Sequence, residues 1–377
     1  MTIPMTDLVE QYDALKTEID EAIQRVLTNA TFILGDEVQS FEKAVSSYTG
    51  VSEAVGVASG TDALLLALLA CGIGEGDEVI TTPFSFVATS ESIARTGATP
   101  VFVDIEPNTL NIDCQALASA ITPRTKGIVP VHLYGQPCDM TTIMSLAKVN
   151  NLRVVEDCAQ AQGATWNGQQ VGSFGDCGCF SFFPSKMVGA YGDGGMVTTN
   201  RADIAERVRA LRNHGATSKY HHDTRGFNSR LDALQASILK VKLQHLPDWI
   251  ERRRAIAAQY REAFDSIQGV HTLSERPNAG HVFNYYTIRI DGAAARRDSL
   301  AAHLKNCRVA SAVYYPRPLH IQGVFTSLGH TINDFPHAAL ASQQVLSLPL
   351  YPEMTTEQVH QVIESVSSFK GFKYIGE

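Results

Sequence analysis

The fold is decided by Glu53-Ala54-Val55-Gly56-Val57-Ala58-Ser59-Gly60-Thr61-Asp62 and by the apolar run 63–71 that follows it. A Val-rich stretch breaks at small polar residues and gives way to Ala and Leu, so the segment reads as strand, turn and helix. The pattern recurs along the chain. Strands are expected at 53–58, 78–81, 100–104, 127–132, 153–157, 179–183 and 195–199, with helices at 61–71, 87–96, 114–120 and 141–150 between them. Such alternation predicts an α/β architecture, a largely parallel seven-stranded sheet flanked by helices. Upstream, Leu8, Tyr12, Leu15, Ile19, Ile23 and Val26 recur every three or four residues, the stripe of an amphipathic helix. Downstream, helical rhythm covers 201–213, 231–246 and 248–264. Beyond it, strands at 285–290 and 309–315 and helices at 296–306, 338–346 and 355–368 predict a smaller α+β domain. The expected division is a large domain over 1–247 and a small one over 248–377.

Composition narrows the class. The 377 residues are 44% hydrophobic, enough for a packed core, and carry a formal net charge of −8. That balance excludes a disordered chain and argues against nucleic acid, whose phosphates are held by clustered Lys and Arg. Seven cysteines are too sparse for a disulfide scaffold and read as reduced thiols. The longest apolar run, 63–71, is about half a bilayer span. Asp7, Glu10, Asp13 and Lys16 leave no room for a secretory signal. The expectation is a cytoplasmic protein with no membrane partner.

Four segments carry chemistry. Ser59-Gly60-Thr61-Asp62 opens a helix after a strand, where free N–H groups and the helix dipole favour a phosphate. Ordinary capping explains the same residues. Arg153-Val154-Val155-Glu156-Asp157-Cys158-Ala159-Gln160 ends a buried parallel strand on two acids, at the edge where open α/β sheets bind ligands. Glu156 and Asp157 point to opposite faces, so only one meets the ligand. Phe180-Ser181-Phe182-Phe183-Pro184-Ser185-Lys186 precedes Gly189-Ala190-Tyr191-Gly192-Asp193-Gly194-Gly195. A lysine among aromatics and glycines is placed for desolvation, which makes its amine nucleophilic. Gly226-Phe227-Asn228-Ser229-Arg230-Leu231-Asp232 precedes another helix, and Asn228 or Ser229 would also serve as its cap. Acid, lysine and phosphate-ready helix start suit pyridoxal 5′-phosphate: aldehyde to lysine, phosphate to helix, ring nitrogen to aspartate. A nicotinamide site would need G-x-G-x-x-G opening a helix, and neither 72–76 nor 192–195 has that form.

Taken with Gly76-Asp77-Glu78-Val79-Ile80, Phe86-Val87-Ala88-Thr89, Pro130-Val131-His132-Leu133-Tyr134-Gly135 and Tyr315-Pro316, these segments resemble the DegT/DnrJ/EryC1/StrS sugar aminotransferases over nearly the whole chain. The resemblance implies fold type I and a pyridoxal-phosphate-dependent transaminase. Lys186 would bear the cofactor and shuttle a proton, and Asp157 would pair with the ring nitrogen. Gln160 would sit near the ring's phenolic oxygen and Phe86 would stack on the ring. Gly60, Thr61 and Ser181 would bind the phosphate. Asn228 would reach the phosphate of a neighbouring subunit, so a homodimer with interfacial sites is implied.

Arg230 is placed toward the sugar nucleotide or a donor carboxylate. His132, Tyr314, Tyr315 and Arg317 are further substrate-binding candidates, with a core role for His132 equally open and a surface role the default for Arg317. The substrates implied are L-glutamate and a UDP- or dTDP-linked keto-sugar aminated at C3. The UDP-2-acetamido-2-deoxy-3-oxo-glucuronate type comes first and the dTDP-3-keto-6-deoxyhexose type second. Dehydratases of this scaffold carry histidine in place of Lys186, and a non-catalytic regulator would have lost Lys186 or Asp157. Cys158, Cys177 and Cys179 lack a paired C-x-x-C and read as structural thiols. His221-His222-Asp223 reads as a polar loop, and no metal is expected.

Overall fold

A computed structural model describes residues 2–374. Its main sheet has seven strands: β1 (Glu53–Val57), β2 (Glu78–Thr81), β3 (Thr99–Phe102), β4 (Thr125–Ile128), β5 (Arg153–Asp157), β6 (Cys177–Ser181) and β7 (Gly195–Thr199). They lie in the order β1-β7-β6-β5-β4-β2-β3. Only β7 runs against its neighbours; the rest are mutually parallel. Because β7 reverses between β6 and β1, β1 again points the same way as β5 and β6. The chain therefore leaves β1, β2, β5 and β6 at one common edge. That edge receives the segments 58–61, 82–89, 158–160 and 182–186.

The helices are α1 (Leu8–Asn29), α2 (Asp36–Thr49), α3 (Gly60–Ala70), α4 (Val87–Arg95), α5 (Cys114–Ser119), α6 (Met140–Asn150), α7 (Ala202–Leu211) and α8 (Ala233–Phe264). Asp7 caps α1 by accepting from the N–H groups of Val9 and Glu10, which fixes the helix start at Leu8. α3 is buried along most of its length, as a helix of Ala and Leu pressed against the parallel strands should be. The small C-terminal layer is an antiparallel sheet of β8 (Val270–Thr272), β9 (Tyr286–Ile290) and β10 (Val345–Leu348). It is covered by α9 (Ala294–Asn306), α10 (Pro336–Gln344) and α11 (Thr356–Ser367).

Several expectations are corrected. The helices expected at 231–246 and 248–264 are one helix, α8, continuous through Pro247. The missing N–H of a proline is outweighed by burial on both sides of it. Leu246 and Ile250 pack in the large core, and Ile256, Tyr260 and Phe264 in the small one. The expected boundary at 247/248 thus falls inside α8. The strand expected at 309–315 is absent: Val309 and Ala312 make isolated bridges to different partners, Ile3 and Ser347. The helix expected over 338–346 stops at Gln344, because Val345–Leu348 pairs with β9 as its outer neighbour. α2 had no counterpart in the sequence reading.

Candidate active site

The common edge assembles three of the four segments around one crevice. Ser59 caps α3 by accepting from the N–H of Asp62 at 3.1 Å, leaving the first amides of the helix facing outward. Gly60 lies against Ser181 at the end of β6. A Cβ on Gly60 would stand 2.5 Å from that residue's Cβ and 3.0 Å from its Oγ, so only glycine permits the approach. The result is a cradle of backbone N–H groups and a hydroxyl, suited to an anion.

At the end of β5 the two acids part as their alternation requires. Asp157 faces the crevice and is 5% exposed. Its Oδ2 accepts from the Thr89 hydroxyl at 2.7 Å and its Oδ1 from the Ala159 N–H at 3.1 Å. Among the described residues no cation stands within ion-pair distance. Burial accordingly raises its pKa above the ordinary value, against the pull of those two donors and of Lys186. A carboxylate so placed has neutral donors but no cationic partner. Glu156 turns into the core, where its oxygens accept from the N–H groups of Gly172, Phe174 and Gly175 at 2.8–2.9 Å.

His132 belongs to Glu156 and not to the crevice. Its Nδ1 accepts from the Cys138 N–H at 3.0 Å, so the proton sits on Nε2, which faces Glu156 Oε2 at 3.2 Å. The ring is wholly buried, and the substrate-contact expectation for His132 is corrected to a core role. Cys158 joins these two in a buried group of possible metal ligands. The Glu156 oxygens there are already engaged by amides.

Lys186 follows β6 on a tight turn. Its N–H donates to the Phe183 carbonyl at 2.8 Å, and the N–H of Ala190 to Phe182 at 2.8 Å. Gly189 passes so close beneath Pro184 that a Cβ would meet its carbonyl oxygen at 2.1 Å. Gln162 staples the turn, accepting from the Val188 N–H at 2.8 Å and donating to the Ser181 carbonyl at 3.2 Å. Desolvation pulls the Lys186 ammonium down to about 8, opposed by the charge of Asp157.

The opposite wall is aromatic. Phe86, at the start of α4, keeps 57% of its surface exposed beside Tyr315, their ring centroids 6.3 Å apart. Gln160 spends its amide on neighbours: Oε1 accepts from the Tyr134 N–H at 2.7 Å and Nε2 donates to the Tyr315 hydroxyl at 3.0 Å. Tyr314 lies against Tyr285 with ring centroids 4.4 Å apart and planes tilted by 32°, and its carbonyl accepts from the Tyr134 hydroxyl. Burial holds the Tyr315 phenol well above its usual range, so it stays protonated.

The fourth segment is only partly joined to the crevice. Ser229 ties it to α3, donating to Asp62 Oδ2 at 2.7 Å and accepting from the Ala58 N–H at 3.2 Å. Asn228 points outward and is exposed. Arg230 donates to Asn213 Oδ1 at 3.0 Å, and Arg317 is exposed with no ion pair among the described residues. Thr89, Tyr134, Gln162 and Tyr285 were not singled out from the sequence. Thr89 and Tyr134 had a signal, each lying in a segment that carries the resemblance.

The model of the DegT/DnrJ/EryC1/StrS aminotransferase family matches residues 13–367. A pleiotropic regulatory protein of Geobacillus stearothermophilus is 48% identical over 371 residues, 98% of this chain and 99% of the relative. The UDP-N-acetyl-3-dehydro-α-D-glucosamine 3-aminotransferase of Acidithiobacillus ferrooxidans is 48% identical over 362 residues, 96% of each. The solved structure of Streptomyces venezuelae DesV in complex with a ketimine intermediate superposes with a TM-score of 0.94 at 40% identity, covering 97% of both chains. On this agreement of sequence and fold, the chain belongs to the DegT/DnrJ/EryC1/StrS aminotransferase family.

Proposed function

We propose that this protein transfers the amino group of L-glutamate to C3 of a UDP-linked 2-acetamido-2-deoxy-3-keto sugar. The observation that carries the reading is the pairing, in one crevice, of a desolvated Lys186 with a buried Asp157 that has no cation of its own. The cofactor is pyridoxal 5′-phosphate, as in the family and its solved neighbours. The donor set fits it at three points. The glycine-tight start of α3 with Ser181 suits the phosphate, the carboxylate without a cation a protonated ring nitrogen, and the lowered lysine an aldehyde.

When bound, pyridoxal phosphate supplies an electron sink for negative charge at the donor's α-carbon. The chain's own groups do the rest. The first amides of α3, at Gly60 and Thr61, and the Ser181 hydroxyl fix the phosphate and so the position of the ring. Asp157, steadied by Thr89, keeps a proton on the ring nitrogen. Phe86 covers one face of the ring and excludes water from it. Lys186 Nζ removes the α-proton of glutamate and returns a proton on the acceptor half, alternating base and acid, a task that a pKa near neutrality favours. Gln160 holds the Tyr315 hydroxyl, which is free to donate beside the ring. Tyr314, Arg230 and Arg317 are assigned to the sugar nucleotide.

Asn228, exposed on this chain, is assigned to the phosphate of a second copy, which makes the working unit a homodimer. The setting is assigned as cytoplasmic, where the seven free thiols remain reduced. No helix among the described residues is long and apolar enough to cross a membrane. The glucosamine-type substrate is placed ahead of the 3-oxo-glucuronate expected from the sequence. The relative named for the former is 48% identical and the one named for the latter 40%. The regulatory name of the Geobacillus relative finds no support in this crevice, since Asp157 and Lys186 are both present. The test supplies glutamate alone and then UDP-3-keto sugars that differ at C6, with a dTDP-3-keto-6-deoxyhexose as third acceptor. Stoichiometric 2-oxoglutarate followed by turnover with a UDP-3-keto sugar supports the assignment. Release of 2-oxoglutarate with turnover on the dTDP sugar alone overturns the proposed acceptor, and no release overturns the reaction.

A further inference from the structure

Behind the turn that carries Lys186 stands a second lysine that the reaction does not use. Lys242, on α8, is 0% exposed and has no carboxylate within ion-pair distance among the described residues. Its Nζ donates to the Gly189 carbonyl at 2.7 Å and lies 4.3 Å above the centre of the Tyr191 ring. An ammonium buried against one neutral carbonyl and one aromatic face is costly. Desolvation draws it down to about 8, with the Glu353 carboxylate pulling the other way from the segment after β10. A methionine would fill the same volume without that cost. What the charge gives in return is geometry.

Gly189 is three residues beyond Lys186 and passes directly under Pro184. Its carbonyl is therefore a fixed point on the turn. Gln235, two helical turns before Lys242 and on the same face of α8, accepts from the Tyr191 N–H at 2.8 Å. Gln162 closes the other side through Val188 and Ser181. The strap 181–191 is thus gripped by side chains from outside it, and next to the neutral Gln162 grip at Val188 stands a charge-assisted bond from Lys242 to Gly189.

We propose that Lys242 is a positioning residue for amino transfer, locking the Gly189 carbonyl so that the Lys186 amine is held toward Asp157. The proposal rests on the reading that Lys186 carries the reacting amine. In the experiment, wild type, Lys242→Met and Lys242→Gln holoenzymes are compared, with Lys240→Met on the same helix as control. Borohydride trapping and peptide mapping establish first that the cofactor sits on Lys186; attachment elsewhere overturns the parent reading and not the grip itself.

Two readouts then address Lys242. In single turnover with glutamate, Lys242→Met is expected to react roughly ten- to a hundredfold more slowly, with glutamate affinity unchanged. The pH midpoint of its visible band is expected to move, since that band reports the setting of the Lys186 nitrogen. Lys242→Gln, which keeps one donor, is expected to fall between the two and carries the test if the methionine variant does not fold. Lys240→Met is expected to match wild type. Folded variants with wild-type rates and an unmoved midpoint overturn the proposal, as does an effect confined to glutamate affinity.

Discussion

The lowered basicity of Lys186 has a consequence that can be read before any turnover. In the cofactor-free protein the amine must be neutral to attack an aldehyde. An ordinary lysine near 10.5 is neutral in about one molecule in three thousand at pH 7, whereas one at about 8 is neutral in about one in ten. The fall from 10.5 to about 8 corresponds to a capture rate about 300-fold higher than a solvated lysine would show. The sign follows from the direction of the shift. As pH rises toward 8 the captured fraction grows in proportion to the neutral amine, and above 8 the rate levels off. Stopped-flow absorbance after mixing cofactor-free protein with pyridoxal phosphate measures this directly. Scanning upward from about pH 7 keeps the phosphate's own second ionisation near 6 out of the profile. Lys186→Ala supplies the blank. A rate that goes on climbing toward 10.5 would mean that the amine is solvated, and the desolvation argument would fail.

Three further outcomes follow from the same contacts. Asp157→Asn removes the charge that holds the Lys186 amine up, so the capture midpoint should move below 8, while turnover falls roughly 10- to 150-fold, the equivalent of about 1.5–3 kcal/mol for a hydrogen bond to a charged group; comparing capture profiles with steady-state rates checks both signs. Gly60→Ala forces Ser181 aside and should weaken cofactor binding by about 1–3 kcal/mol, roughly 5- to 150-fold in Kd, with the fold intact by circular dichroism. Glu156→Gln sets an NH2 group among the amides of Gly172, Phe174 and Gly175 and should lower stability by about 2–4 kcal/mol in urea unfolding; a wild-type midpoint would refute its structural role.

The sheet was legible because parallel strands read as apolar runs between helices, and Asp157 because an acid at such a strand end has few other uses. The desolvated setting of Lys186 was legible through its glycines and aromatics. Other features depend on partners far away in sequence. His132 follows a strand like any pocket residue, and only the placement of Glu156 and Cys138 shows that its ring is spent in the core. Gln160 was read toward the ring, yet its amide is committed to Tyr134 and Tyr315, the latter 155 positions on. Helical rhythm was expected over 231–246 and 248–264 separately, and the two cores packed on either side of Pro247 make one helix of them. Lys242 sits in a helical rhythm where lysines are ordinarily solvated, so its burial was invisible without the strap it grips.

On the proposed function one amine, Lys186, carries the cofactor and yields it to an amino donor. Borohydride reduction of the holoenzyme followed by peptide mass mapping tests this most directly. A cofactor-derived mass is expected on the peptide containing Lys186, and its loss when L-glutamate is added before the reductant. Label on another lysine, or label on Lys186 that glutamate leaves undiminished, would contradict it.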